Sequence, residues 1–277
     1  MKTLYVSDLD GTLLQPDARL SERTVALLGE AVAAGHLFTV ATARTPATVA
    51  PILERVEMRL PAIVMTGAAM WDTATGRYSH VRHFAPDTAA ELLRIYREAA
   101  ISTFMFTLSD DMIDIYHLNG DLLPLQRAFM EERLHSPYKR FHVDPSGADT
   151  LPDTLSETVL FYTMLPDAQA RAAYMLIKDL PGVRAQYYHD IYGPETGILE
   201  AFAAGATKAE AVRTLAATAG ADRTVCFGDN INDLPMMEAA DLAVAVGNAL
   251  PEVKAAADIV IGCNTDDAVA AFIRAGL

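Results

Sequence analysis

The stretch Tyr5-Val6-Ser7-Asp8-Leu9-Asp10-Gly11-Thr12 places two carboxylates at the end of an apolar run. Aspartates two positions apart at a strand end point to one side. They can share a divalent cation there, or one carboxylate can react while the other carries a proton. Asp8 is the candidate nucleophile. Leu4 to Ser7 read as a buried strand and Gly11-Thr12 as a turn, so both carboxylates should emerge at the strand's carboxyl end. Open α/β sheets bind their ligands at that edge. The plainer reading of Asp-x-Asp-Gly alone is an acidic surface turn.

Three further constellations each follow a strand or open a helix. Thr42-Ala43-Arg44 follows an apolar run, where a hydroxyl and backbone N–H groups can hold phosphate oxygens; a Thr that simply caps the next helix is the alternative. Thr207-Lys208-Ala209-Glu210 has capping-box spacing and puts Lys208 in a first helical turn. A cation there opposes the macrodipole by roughly 0.3–1 kcal/mol, which favours an anionic or carboxylate partner for Lys208; a solvated surface lysine is the equal alternative. Gly228-Asp229-Asn230-Ile231-Asn232-Asp233 spaces Asp229, Asn232 and Asp233 at i, i+3 and i+4. One helical turn would then present two carboxylates and an amide on one face, although acidic residues also cap first turns.

These groups need a scaffold that brings strand ends together. Strand, helix, strand, helix from residue 4 to 56, then a strand at Ala62 to Met65, predict a βαβαβ half, followed by a hairpin from Met70 to Val81. The pattern changes after His83. A helix from Pro86, antiparallel strands at Ser102 to Leu108 and Met112 to Leu118, a helix from Asp121, an irregular stretch from Pro137 to Asp153, a strand to Met164, a helix from Asp167 and a strand at Val183 to Tyr188 make an α+β module. From Gly197 strands and helices alternate again, beginning with a strand to Phe202. The expected architecture is α/β: a doubly wound, Rossmann-like parallel-sheet core of residues 1–83 and 191–277, with an inserted α+β cap of residues 84–190.

The chain of 277 residues carries a formal charge of −14, which disfavours nucleic acid as a partner. No segment has the uncharged span needed to cross a membrane. Met1-Lys2 run straight into strand residues without a signal peptide, and Cys226 and Cys263 read as reduced core residues. A soluble, cytoplasmic protein is expected. For so acidic a chain to bind an anion, Mg²⁺ and placed cations must compensate locally.

Asp8-x-Asp10-Gly11-Thr12, Thr42 with Arg44, Lys208, and Gly228-Asp229-x-x-Asn232-Asp233 resemble, in order and type, the four motifs of the haloacid dehalogenase-like superfamily. The tail Ala243-Val244-Ala245-Val246-Gly247-Asn248-Ala249 with Ala257-Asp258, and a cap between the second and third motifs, resemble its Cof-type sugar-phosphatase branch. The resemblance implies that Asp8 attacks phosphorus to give an aspartyl-phosphate, while Asp10 protonates the leaving alcohol and then deprotonates water. It implies Mg²⁺ on Asp8, the Asp10 carbonyl and Asp229, with Asp233 in the inner or second shell. Phosphate binding falls to Thr42, Lys208, Asn232 and the Leu9 and Ala43 backbone. Three positions depart from the branch: Ala43 and Ala209 stand for Gly, and Thr66-Gly67-Ala68 for Asn-Gly-Ala.

The expectation is a Mg²⁺-dependent phosphatase of small phosphorylated metabolites, sugar phosphates foremost. Its rivals are a phosphomutase of the same superfamily and a phospho-aspartate signalling module, which free phosphate released in turnover separates from it. The cap is expected to exclude water and contact the leaving group. Asp114 and His117 are candidate specificity residues on a cap strand, with an outward-facing strand surface as the plainer reading.

Overall fold

Short apolar runs alternating with amphipathic segments build the first unit. The computed structural model describes residues 2–144, 146–190 and 193–276. It divides into one unit of Met1–His80 with Thr207–Leu277 and a second of Val81–Ala206. The first half begins with β1 (Thr3–Ser7), α1 (Glu22–Ala33), β2 (Leu37–Val40) and α2 (Pro46–Leu53). Ser21 caps α1, its Oγ accepting from the Thr24 N–H at 2.9 Å. There follow β3 (Ala62–Val64), β4 (Ala69–Trp71) and β5 (Tyr78–Ser79). The expected third strand is present and meets β2's extension in parallel, through the bridge from Ala41 to Ile63, but its continuous ladder is the antiparallel one with β4 and, beyond it, β5. Met65, Thr66 and Gly67 all have positive φ directly after β3, and this tight reversal folds the chain back on itself.

The second unit comprises α3 (Pro86–Glu98), β6 (Thr103–Ser109), β7 (Met112–Leu118), α4 (Pro124–Glu131), β8 (Lys139–His142), β9 (Thr158–Pro166), α5 (Asp167–Ile177), β10 (Val183–Asp190) and β11 (Gly193–Ala203). Its sheet runs β10-β11-β9-β6-β7-β8, antiparallel except for β7 with β8. Leu92 and Tyr96 of α3 and Ala170 and Ala173 of α5 bury against Met105, Phe161 and Leu199 of the sheet. Two expectations change. The stretch taken as irregular contains β8, a short edge strand whose Lys-Arg-Phe-His sequence carries little apolar signal. The strand expected to reopen the core is the end of β11, antiparallel to β9 and β10, so the second boundary falls at 206/207 rather than 190/191. Residue 191, where the outer domain was expected to resume, lies outside the described residues. An apolar run such as Ile198 to Phe202 suits a buried strand of either sheet.

Asp114 and His117 are both buried, so the outward-facing reading fails. Three apart on β7, they lie on opposite faces. Arg140 grips the Asp114 carboxylate at 2.8 and 2.7 Å and His142 Nε2 lies 2.6 Å from it, while His117 Nε2 lies 3.1 Å from Ser102 Oγ.

The chain returns as α6 (Lys208–Ala219), β12 (Arg223–Gly228), α7 (Leu234–Glu238), β13 (Leu242–Ala245), α8 (Pro251–Ala256), β14 (Ile259–Val260) and α9 (Ala268–Ala275). These strands join the first two in one parallel sheet, β14-β13-β12-β1-β2. β1 therefore lies between β12 and β2, and Leu4, Tyr5 and Val6 are all buried, as a parallel strand covered on both faces requires. Among the described residues no helix is long and apolar enough to cross a membrane.

Within the second unit, burial pushes the Glu200 carboxyl up to about 7, and the charge of Arg184 offsets this only in part. The folded state then binds the extra proton between the ordinary carboxyl value and about 7. Its stabilising contribution is complete below the unfolded value and is lost as pH rises through about 7. Glu200→Gln should flatten the fall of stability over that window by on the order of 3 kcal/mol. Urea midpoints at a series of pH values check this, and parallel curves for the two proteins would refute it.

Candidate active site

Asp8 stands directly after β1, its N–H donating to Phe227 O of β12 at 3.1 Å. The chain then makes one wide turn, Leu9–Leu13, closed by the Leu14 N–H on Leu9 O at 2.9 Å. Within the turn Gly11 has φ +80°, and a Cβ there would lie 2.4 Å from Asp229 Oδ2. Only glycine fits. The turn buries Leu9 and leaves Asp10 exposed, so the two carboxylates are in different surroundings: Asp8 is 7% exposed, whereas the Asp10 side chain is 52% exposed.

Lys208 joins Asp8 to the residues after β12. Thr207 caps α6 by accepting from the Glu210 N–H at 3.0 Å, which sets Lys208 at the first helical position. Its Nζ lies 2.5 Å from Asp8 Oδ1 and 2.7 Å from Asp233 Oδ1, and the side chain is 1% exposed. The solvated-lysine reading is thereby excluded. Burial alone would push the Lys208 ammonium down, but the Asp8 and Asp233 charges more than reverse this and hold it protonated.

Asp233 serves two functions. Its Oδ2 accepts from the N–H groups of Asp229 and Asn230 at 3.1 and 3.2 Å, the expected capping, while Oδ1 receives Lys208. The segment departs from the expected helix, because Ile231–Asp233 form a tight 3₁₀ turn and Asp229 precedes it. Asn232 is exposed and Asp233 fully buried. Asp229 Oδ1 accepts from the Thr12 hydroxyl at 2.7 Å, which ties this turn to the one that bears Asp10.

One carboxylate oxygen from each of Asp8, Asp229 and Asp233 can be chosen so that all lie within 4.8 Å of one another. One ammonium cannot balance three carboxylates. Burial, with repulsion from Asp233 and Asp229, drives the Asp8 carboxyl up to about 8 against the pull of Lys208. Burial likewise drives Asp229 up to about 6, although Thr12 opposes this. An edge of hard oxygen donors short of positive charge fits a small divalent cation such as Mg²⁺. Asp10 does not bring its side chain into this cluster. Arg44 holds its carboxylate in a two-pronged pair at 2.8 and 2.6 Å.

Thr42 is buried beside this edge, with its N–H on Ile63 O at 2.9 Å and its Oγ1 accepting from the Arg44 N–H at 3.1 Å. It does not cap α2, whose N-cap position is Thr45. Ala43 is exposed at the surface of that turn. No sequence signal by itself marks a role for Thr12 or for the Arg44 side chain. Both stood inside quoted motifs, so their signal was positional, but a pairing such as Arg44 with Asp10 joins elements that only the fold brings together.

The sequence profile of the haloacid dehalogenase-like hydrolases matches residues 5–273. The chain is 28% identical over 277 residues to the pyridoxal phosphate phosphatase YbhA of Escherichia coli (strain K12), covering 98% of this chain and 97% of that one. It is 26% identical over 280 residues to the 5-amino-6-(5-phospho-D-ribitylamino)uracil phosphatase YitU of Bacillus subtilis (strain 168), covering 98% and 96%. The fold matches that of a haloacid dehalogenase-like hydrolase from Bacteroides thetaiotaomicron with a TM-score of 0.76 at 22% identity, covering 100% of both chains. With a profile match along nearly its whole length and relatives aligned from end to end, the chain belongs to the haloacid dehalogenase-like hydrolases.

Proposed function

We propose that this protein is a Mg²⁺-dependent phosphatase that hydrolyses small phosphorylated metabolites, sugar phosphates among them, through an aspartyl-phosphate. Its place among phosphoric monoester hydrolases follows from the family and its phosphatase relatives. The metal, the covalent intermediate and the substrate class are the further steps. The observation that carries them is the Lys208 ammonium set between Asp8 and Asp233 at a buried strand end, with Asp229 alongside.

In this reading an Asp8 Oδ attacks phosphorus, and the bond from phosphorus to the ester oxygen breaks as Asp10 gives that oxygen its proton. Asp10 then takes a proton from water as the water oxygen bonds to phosphorus. The Asp8–phosphorus bond breaks and inorganic phosphate leaves. Arg44 occupies one acceptor site on each oxygen of the Asp10 carboxylate, and the half-exposed carboxylate is open to a leaving group on its remaining sites. Lys208 offsets repulsion between Asp8 and the anionic substrate, and Thr42, Asn232 and the Leu9 and Ala43 backbone hold phosphoryl oxygens. Asp8, Asp229, Asp233 and the Asp10 carbonyl would hold Mg²⁺, which supplies neutralising charge at the phosphoryl group.

Released phosphate is the test, measured with Mg²⁺ on a panel of pyridoxal 5′-phosphate, sugar phosphates and p-nitrophenyl phosphate. Asp8→Asn should abolish turnover, since an amide cannot form the intermediate, whereas Asp10→Asn should slow both half-reactions by about 10²–10⁴-fold. Steady-state phosphate release by Asp8→Asn would end the mechanism.

The metal assignment is tested by stability. A ligand at about one hundred times its dissociation constant adds roughly 2.7 kcal/mol to a native state that alone binds it. Mg²⁺ should therefore raise the melting temperature by several degrees over chelator, and Asp229→Ala should lose most of that rise. Equal responses of both proteins would remove these aspartates as the metal site.

A further inference from the structure

The turn that bears Asp10 is held from outside by two asparagine side chains. Asn248, three residues beyond β13, donates its Nδ2 to Gly11 O at 2.7 Å and accepts the Asn264 N–H on its Oδ1 at 2.9 Å. Asn264 in turn donates its Nδ2 to Leu14 O at 2.8 Å. The two side-chain amides, linked through the Asn264 backbone N–H on Asn248 Oδ1, thus grip carbonyls at both ends of the segment from Gly11 to Leu14, with Thr12 fixed to Asp229 between them.

The first of these grips lies next to the proton carrier. Asp10 has ψ 120° and Gly11 φ +80°, so the chain reverses at a residue without a Cβ to restrict it. The Asp10 carboxylate is half exposed and projects from this hinge. We propose that Asn248 is a positioning residue for Asp10: its amide fixes the Gly11 peptide and so the direction in which the Asp10 carboxyl meets the leaving oxygen. This rests on the reading of Asp10 as general acid and base. A displacement of about 1 Å in a reacting group can cost about a hundredfold in rate. Asn248 is itself exposed, so water replaces its hydrogen bond when it is lost, and the global stability should scarcely change.

The test compares leaving groups. Hydrolysis of p-nitrophenyl phosphate expels a weak base that needs little protonation, whereas an alkyl phosphate expels an alkoxide that needs a well-placed acid. Asn248→Ala should lower kcat/KM, which reports only the steps through departure of the leaving group, by about tenfold or more on the best-hydrolysed alkyl phosphate and by less than about threefold on p-nitrophenyl phosphate. Its melting temperature in Mg²⁺ should match that of the parent. Asn264→Ala, which releases the Leu14 end, should show the same selectivity more weakly and stands in if Asn248→Ala does not fold. Equal losses on both substrates, or no loss, overturn the positioning role. Asp10→Asn run alongside separates the two failures: if it shows no selectivity, the assignment of Asp10 itself falls, and the positioning role with it. If it is selective while Asn248→Ala is not, only the positioning role falls.

Discussion

Everything in the first unit is arranged around one ammonium among three carboxylates. Lys208 sits at a helix start, where the macrodipole disfavours a cation, and it is buried, where solvation is lost. Asp8 and Asp233 make that position tenable, and Lys208 in turn makes their proximity tenable. A buried ion cluster of this kind is weak evidence of stabilisation, since well-packed apolar groups often do as well. Its value lies in a prepared electric field at the end of β1. The parallel sheet supplies three independent lines of chain to that point: β1 brings Asp8, the turn after β12 brings Asp229 and Asp233, and α6 brings Lys208.

The two aspartates of the first motif divide rigidity from access. Asp8 is pinned by the β12 pairing and by Lys208, with little room to move. Asp10 is half exposed on a glycine turn and pairs with Arg44, which a ligand can compete for. In the proposed reaction, a nucleophile that must meet phosphorus in line would benefit from the first setting, and a group that gives and takes protons from the second.

Much of this was legible because the motif residues are local. The strand-then-turn pattern around Asp8, the cap at Thr207 and the capping role of Asp233 are all encoded within a few neighbouring residues. The misread elements lacked such a local signature. An apolar triplet such as β3 reads alike in either sheet, and the positive φ of Met65 and Thr66 that brings β4 back against it falls on residues with no turn signal. The end of β11 reads as a core strand for the same reason: burial, not sheet direction, sets its composition. The pairing of Arg44 with Asp10 and the grip of Asn248 on Gly11 depend on separations of 34 and 237 residues, which no pattern in one sequence reveals.

The order of strands also governs how the protein emerges from the ribosome. β1 and β2 are made early, but β1 gains its second neighbour only when Arg223–Gly228 has been synthesised, after the entire second unit. At about 5–20 residues per second that interval is on the order of ten seconds or more. The inserted unit is contiguous and has its own sheet and buried cluster, so it can fold while the strand bearing Asp8 still has one open edge. The nascent chain thus carries the Asp8 strand with one edge open until β12 is made.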